Sequence, residues 1–205
     1  MQHHTNKRLV YLGDASSHAT IILLSELAVL GWCVDLISAC RPIPGAVLPP
    51  EIKFHRLPVS AGYPLTYAAF LFAAPLILSL KPSVIHACGL SSYGIMAAVH
   101  RRFLRFKPMV LTISGADILE DAQRGMIRWS AEHALKMFEA VIAPQDDALL
   151  EELVRMAAPK DRLIYMDTGD PETIKTTAKQ LERIYTKLLG GSEKPNKINL
   201  NHTIA

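Results

Sequence analysis

The chain has 205 residues, of which 50% are hydrophobic and 20% are charged, and its formal net charge is +3 at pH 7. This composition excludes an intrinsically disordered chain and is sufficient for a substantial core in one domain with an appendage. The net charge of +3 permits attraction to anionic lipid or nucleic acid but is far from the clustered positive charge of a dedicated DNA-binding protein, and by itself it decides nothing. We predict no nucleic acid among the partners.

The cysteines indicate the cellular compartment. Cys33, Cys40 and Cys88 are an odd number without CxxC spacing, and two of them fall in or beside apolar strands. This favours reduced thiols over a disulfide framework. The first residues, MQHHTNKR, lack the apolar segment of a signal peptide. We therefore predict a cytoplasmic location.

The first part of the chain alternates strands and helices. Leu9–Leu12, Val34–Ser38 and the half-exposed Ile52–Leu57 have the composition of strands. Thr20–Leu30 is predicted to be a helix that is apolar nearly all round, so it must be covered on more than one side. The loop between this helix and the first strand contains Gly13 to His18.

The segment Leu65–Leu80 carries no charged residue. As a helix it would be about 24 Å long, shorter than the roughly 30 Å bilayer core, and Pro75 would kink it. We therefore predict a helix that packs on the sheet or lies at a membrane surface, and not a spanning helix.

Residues Lys81–Asp117 have the pattern of one complete βαβ unit. Val84 and Ile85 suit a buried parallel strand, Ile95 to Val99 a helix, and Met109–Ile113 the next strand. Ligands of open parallel sheets bind at the carboxyl ends of the strands. We therefore expect one rim to contain the following residues: His86, Cys88, Gly89, Ser114, Gly115 and Asp117.

The end of the central helix is basic and aromatic. Basic residues there stabilise the helix macrodipole, but the interleaved phenylalanines are also compatible with contact to an anionic membrane surface. The predicted membrane-contact residues are Arg101, Arg102, Phe103, Arg105, Phe106 and Lys107.

The rest of the chain continues the alternation. Helices are predicted at Gly125–Phe138 and from Asp146 through Met156, and strands at Ala140–Ala143 and Leu163–Met166. A last amphipathic helix, Thr173–Leu189, ends at two glycines, and the polar residues 191–205 are predicted to be disordered.

Four motifs occur in a recognisable order. They are Gly13-Asp-Ala-Ser-Ser with the following helix, Lys81-Pro-Ser-Val-Ile-His-Ala, Leu111-Thr-Ile-Ser-Gly-Ala-Asp-Ile-Leu and Val141-Ile-Ala-Pro. Together they resemble the family 4 glycosyltransferases of the GT-B fold, enzymes with two Rossmann-like domains and a cleft between them. The resemblance implies a single Rossmann-like three-layer α/β/α domain here, with a mostly parallel sheet of about seven strands.

One departure from the family pattern concerns the second domain. In the family, the segment that resembles Arg162–Glu172 leads into the domain that binds the nucleotide sugar. In this chain it leads directly into Thr173–Leu189, which resembles the family's final helix. The resemblance therefore implies an acceptor-type domain in residues 1–170, a helix in residues 171–190 that packs back on it, and a missing donor domain.

The resemblance also suggests an acceptor site, with every assigned residue at the rim. These residues are Gly13, Ser16, Ser17, His18, His86, Gly89, Ser114, Gly115 and Asp117. Ser114 and Cys88 replace family histidines, so we assign no catalytic residue, and we predict no cofactor and no metal. His86 has two open roles, a sugar contact or a hydrogen-bonded structural histidine at a strand end. Alternative catalytic constellations are weak, because Asp14 to His18 form one loop without a GxSxG elbow.

Two functional hypotheses follow. The first is a glycosyltransferase-like protein that is inactive alone and is completed by a separate donor-binding chain, with a sugar or lipid-linked acceptor and weak contact to the inner face of the membrane. The second is a non-catalytic binding or scaffold protein, with the apolar helices covered in a homodimer.

Overall fold

The structure is a computed structural model that describes residues 7–45, 48–58, 66–104, 108–115, 118, 125–166 and 173–190. Its strands are β1 (Arg8–Leu12), β2 (Cys33–Ser38), β3 (Ile52–Arg56), β4 (Val84–Cys88), β5 (Met109–Thr112), β6 (Ala140–Ala143) and β7 (Leu163–Tyr165). Its helices are α1 (His18–Val29), α2 (Thr66–Leu80), α3 (Ile95–Leu104), α4 (Gly125–Leu135), α5 (Asp147–Arg155) and α6 (Ile174–Leu189).

The strands form one sheet in the order β3-β2-β1-β4-β5-β6-β7, and all neighbouring pairs are parallel. The predicted Rossmann-like α/β domain with seven strands is therefore confirmed. The order reverses between β1 and β4, the position at which open parallel sheets form a crevice at their carboxyl edge. The predicted rim lies beside this reversal.

Side chains alternate between the two faces of the sheet, as strand geometry requires. One face, with Val10, Ile85 and Leu111, forms a core with helices α2 to α5. The other face, with Leu9, Val110 and Ile142, forms a core with α1 and α6. The fold therefore has three layers, and only two helices supply the second outer layer in the described part of the chain.

Helix α6 fills the half of that layer that α1 leaves open. Its buried side chains include Ala178, Leu181 and Tyr185, and they pack in the same core as β5, β6 and β7. Lys7, just before β1, forms an ion pair with Glu182 on α6, with 3.0 Å between Nζ and Oε1. The C-terminal helix is thus part of the domain core and does not merely lie on its surface.

Several predicted helix ends differ from those in the structure. Helix α1 runs from His18 to Val29. It begins at His18 because the Ser17 side chain caps it by accepting a hydrogen bond from the backbone N–H of Thr20. The prediction that α4 reaches Phe138 is wrong, since the helix ends at Leu135 and the backbone N–H of Met137 closes a turn on Ala134. Phe138 is fully buried without being helical.

From Phe72 to Leu80, helix α2 is half buried. Ala73, Ile77 and Leu80 pack into the core, whereas Phe72 is 54% and Leu78 is 48% exposed. No helix in the described ranges has both the length and the hydropathy that crossing a membrane requires. This part of the helix therefore packs on the sheet with one side and exposes apolar side chains on the other.

Candidate functional site

The candidate site lies at the carboxyl edge of the sheet, where the loop after β1 is held by its own polar groups. The carboxylate of Asp14 accepts hydrogen bonds from the backbone N–H and the hydroxyl of Ser16, at 2.8 and 2.7 Å. The backbone N–H of Ala15 donates to the buried hydroxyl of Ser38, at 3.1 Å. Burial, and then the nearby carboxylate of Asp14, raise the pKa of the Cys40 thiol. The loop is thus fixed against the end of β2.

Gly13 and Gly89 allow close approaches of the backbone at this edge. A Cβ atom on Gly13 would lie 2.6 Å from the ring of Tyr11, which excludes any other residue without movement of that ring. Gly89 has a φ of +93°, a conformation that favours glycine. It leads from β4 into a π-helical turn, Leu90–Gly94, which the sequence did not predict.

Tyr93, in that π-helical turn, connects β4 to the end of β2. Its hydroxyl accepts a hydrogen bond from the backbone N–H of Ala39 at 3.1 Å and lies 3.3 Å from the hydroxyl of Ser38. Burial raises the pKa of this phenol, so it stays protonated and remains able to donate. Sequence reasoning missed Tyr93, because its partners are distant in the chain.

His86 lies below the rim and not on it. Its side chain is fully buried, and its ring Nδ1 is hydrogen-bonded to the hydroxyl of Tyr185 on α6. Its Nε2 lies 2.7 Å from the hydroxyl of Thr112. Desolvation lowers the pKa of the imidazole to about 3, so the ring is neutral. Both ring nitrogens are occupied, and this geometry is that of a structural histidine, the second of the two roles left open by the sequence.

A pocket of about 200 Å³ opens at this edge, between α1, α6 and the ends of β4 and β5. Its apolar walls are formed by Leu23, Ile113, Ile174 and Leu181. Hydroxyl groups line it as well, from Ser17, Thr20, Thr112, Ser114 and Thr177. The structure thus brings together two predicted site residues, Ser17 and Ser114, from the loops after β1 and β5.

The other predicted acceptor residues are not among the described residues that line this pocket. Ser16 and His18 are exposed in the β1–α1 loop and at the start of α1, and Gly115 is half-buried just beyond Ser114. Asp117 lies outside the described residues. Thr112 and Thr177 were missed by sequence reasoning. Thr112 could have been found as the last residue of a strand at the predicted rim, whereas Thr177 has no local signal because α6 reaches the rim only through the tertiary fold.

The predicted membrane-contact residues differ in their surroundings. The guanidinium of Arg101 forms an ion pair with the carboxylate of Glu139. The same carboxylate accepts a hydrogen bond from the backbone N–H of Met109 at 2.8 Å. Arg102 is exposed. The described part of the structure does not include the side chain of Phe103 or the residues Arg105, Phe106 and Lys107.

No group of three or more His, Cys, Asp or Glu side chains is arranged to hold a metal ion within the ranges that the structure covers. The rim offers hydroxyl groups and backbone amides. These groups donate and accept hydrogen bonds with uncharged polar ligands.

Comparisons with solved structures show the fold. A sucrose-phosphate synthase structure from Thermosynechococcus elongatus is 18% identical, with a TM-score of 0.61, and the match covers 88% of this chain and 98% of that one. The UDP-GlcNAc 2-epimerase from Methanocaldococcus jannaschii is 12% identical, with a TM-score of 0.57, and the match covers 88% of this chain. The chain spans about half of that epimerase, with 52% covered.

A third similar structure is a Rossmann-fold NAD(P)-binding family protein from Shigella flexneri, 15% identical with a TM-score of 0.55, where the match covers 94% of this chain and 91% of that one. No curated protein matches the sequence. The family model described as glycosyl transferase 4-like matches residues 8–145, about two thirds of the chain and all of the sheet from β1 to β6. The chain therefore belongs to the glycosyl transferase 4-like family.

Proposed function

We propose that this chain is the acceptor-side half of a GT-B glycosyltransferase, inactive alone and completed by a separate chain that binds the nucleotide sugar. One observation carries the proposal. Strand β7 ends at Tyr165 and α6 begins at Ile174, so only the eight residues 166–173 separate them. The resemblance places the donor domain of the family at this point.

The packing of α6 supports the same proposal. Because α6 covers β5 to β7 on the second face, the half-enzyme has a closed core without an inserted domain. The carboxyl edge beside Ser17 and Ser114 would then face the partner chain.

The side chains at the edge fit the binding of an acceptor better than catalysis. Ser16, Ser17 and Ser114 offer hydroxyl groups for hydrogen bonds to sugar hydroxyls. A serine does not exchange a proton near neutral pH as an imidazole does, and the imidazole of His86 is buried and fully hydrogen-bonded. We therefore assign no general acid or base among these four side chains.

The isolated chain is expected to turn over no nucleotide sugar. Purified protein would be incubated with UDP- and GDP-linked sugars, and the release of UDP and GDP would be followed by chromatography. Release that stays at the level of a protein-free blank agrees with the proposal. Release that increases with protein concentration and persists through a further purification step would overturn it.

We also propose a cytoplasmic protein with peripheral membrane contact through the basic end of α3. Exposed Arg102 supports this, and α2, which packs beside α3, adds the exposed side chains of Phe72 and Leu78. Arg101 contributes less, because its charge is already paired with Glu139. A basic side chain near an anionic surface contributes about 1 kcal/mol, so the attachment would be weak and sensitive to salt.

Co-sedimentation with vesicles tests this contact. We expect binding to vesicles of phosphatidylglycerol and phosphatidylcholine at low salt, and release at high salt. Replacement of the exposed Arg102 by glutamine should weaken binding about fivefold, the equivalent of about 1 kcal/mol. Arg183→Gln is the matched control, because Arg183 is exposed on α6, on the opposite face of the sheet. No binding at low salt, or equal weakening by both variants, would remove the membrane contact.

A further inference from the structure

The pocket between α1 and α6 has an unusual lining for a site at the edge of a parallel sheet. None of its lining residues in the described part of the chain is an Asp, Glu, Lys, Arg or His. Its volume of about 200 Å³ is that of a site for a single ring. For comparison, an apolar cavity of about 150 Å³ in a protein core is large enough to hold benzene.

We propose that this pocket binds an uncharged, largely apolar group of about one ring in size, and that this group is the apolar part of the glycosyl acceptor. The assignment to an acceptor rests on the proposed function. The chemical class of the ligand rests on the pocket alone.

Three titratable side chains at or beneath the pocket lie in surroundings that disfavour their charged forms. Burial raises the pKa of Tyr11, which lines the pocket, well above its usual value, and burial does the same to Tyr185. Burial lowers the pKa of His86, directly beside both rings, to about 3. The two phenols are neutral at neutral pH, and burial keeps the imidazole of His86 neutral in mild acid as well. Among the described lining residues there is no cationic side chain that would compensate the charge of a bound phosphate or carboxylate.

One feature of the pocket favours an anion. The first turns of α1 and α6 both contribute to the lining, through Ala19 and Ile174, and the N-terminus of a helix attracts negative charge. At α1 this effect is reduced, because the hydroxyl of Ser17 already accepts the backbone N–H of Thr20. A helix terminus also stabilises an anion by less than the desolvation of an unpaired anion costs. The apolar walls therefore decide the class of ligand.

The hydroxyl groups of the pocket are suited to orienting such a ligand. The hydroxyl of Thr112 is hydrogen-bonded to His86, and that of Ser17 caps α1. Each hydroxyl has one donor and two acceptor positions, so both keep some capacity for a polar substituent of the ligand. The main contribution to binding would come from burial of the apolar ring against Leu23, Ile174 and Leu181.

Three probes of the same shape and different charge test the proposal on the full chain. Benzyl alcohol is neutral, benzoate is an anion and benzylammonium is a cation. Titrations followed by amide NMR are expected to give saturable shifts at Thr112 and Thr177 with benzyl alcohol, and at least tenfold weaker binding for both ions. Tighter binding of benzoate would contradict the uncharged class, and no saturable shift with any probe would show that the pocket is not a site.

A blocking variant locates the binding. Ala19 lines the pocket and is exposed, so Ala19→Phe should occupy the pocket without disturbing the core. Val29→Phe is the control, because Val29 is on the same helix and 82% exposed outside the pocket. We expect Ala19→Phe to weaken benzyl alcohol binding at least tenfold and Val29→Phe to leave it unchanged. Equal affinities in the two variants would contradict this location. No nucleotide sugar is present in these titrations, so their failure is distinguishable from failure of the proposed function.

Discussion

Replacement of Leu181 by aspartate is expected to abolish the cooperative fold of the domain. Leu181 is 1% exposed in the core between α6 and the sheet. The substitution removes a buried leucine, worth about 2–5 kcal/mol, and places an unpaired carboxylate in an apolar environment at a further cost of several kcal/mol. The sum is comparable to the whole stability of a typical domain, about 5–15 kcal/mol.

Urea denaturation followed by circular dichroism measures this effect. Thr176→Asp is the matched control, since it introduces the same charge at an exposed position of the same helix and should change the free energy of unfolding by less than about 0.5 kcal/mol. If Leu181→Asp unfolded with the midpoint of the wild type, α6 would not be part of the domain core.

The second large effect is a loss of stability in acid that originates at His86. The pKa of its imidazole is about 3 in the folded protein, against 6.5 for an unperturbed histidine side chain. Above pH 6.5 the His86 side chain is neutral in both the folded and the unfolded state, so its full contribution to the stability is present. As the pH falls from 6.5 towards 3, the unfolded state binds a proton that the folded state excludes, so stability decreases. Between pH 6.5 and pH 4 this amounts to about 3 kcal/mol.

Other groups also change stability in acid, so the measurement is a comparison with His86→Gln. Glutamine does not titrate, and its amide offers a donor group and an acceptor in place of the two ring nitrogens that contact Tyr185 and Thr112 in the wild type. We expect the free energy of unfolding of this variant to decrease less steeply than that of the wild type between pH 6.5 and pH 4. The difference between the two slopes should correspond to the uptake of about one proton on unfolding. In the wild type, the imidazole NMR signals of His86 should not titrate in that range. Titration near pH 6 would contradict the buried position.

Much of the sheet could be predicted because its signal is local. Buried parallel strands are short apolar runs between loops, and Val84–Cys88 and Ala140–Ala143 have this pattern without any long-range information. The end of α4 could not be predicted in the same way. Phe138 continues the apolar spacing of the helix, but it reaches the core from a turn, and periodicity does not separate these two cases.

The rim was predictable and the role of His86 was not. The carboxyl end of a strand is evident from the sequence, which placed His86, Gly89 and Ser114 at the same edge. Whether a strand-end histidine is exposed depends on what covers it. The cover is Tyr185, which follows His86 by 99 residues and reaches it only because α6 packs on that face. In the same way, the partner of Arg101 is Glu139, from the turn before a different strand.

We have proposed that a separate chain supplies the half of a GT-B enzyme that binds the donor. Absent turnover could also reflect an absent acceptor, so the most direct measurement is donor binding itself. Isothermal titration of the isolated chain with UDP- and GDP-linked sugars, and with UDP and GDP, is expected to show no saturable heat. Saturable binding of any of these nucleotides, with a stoichiometry near one per chain, would contradict the account.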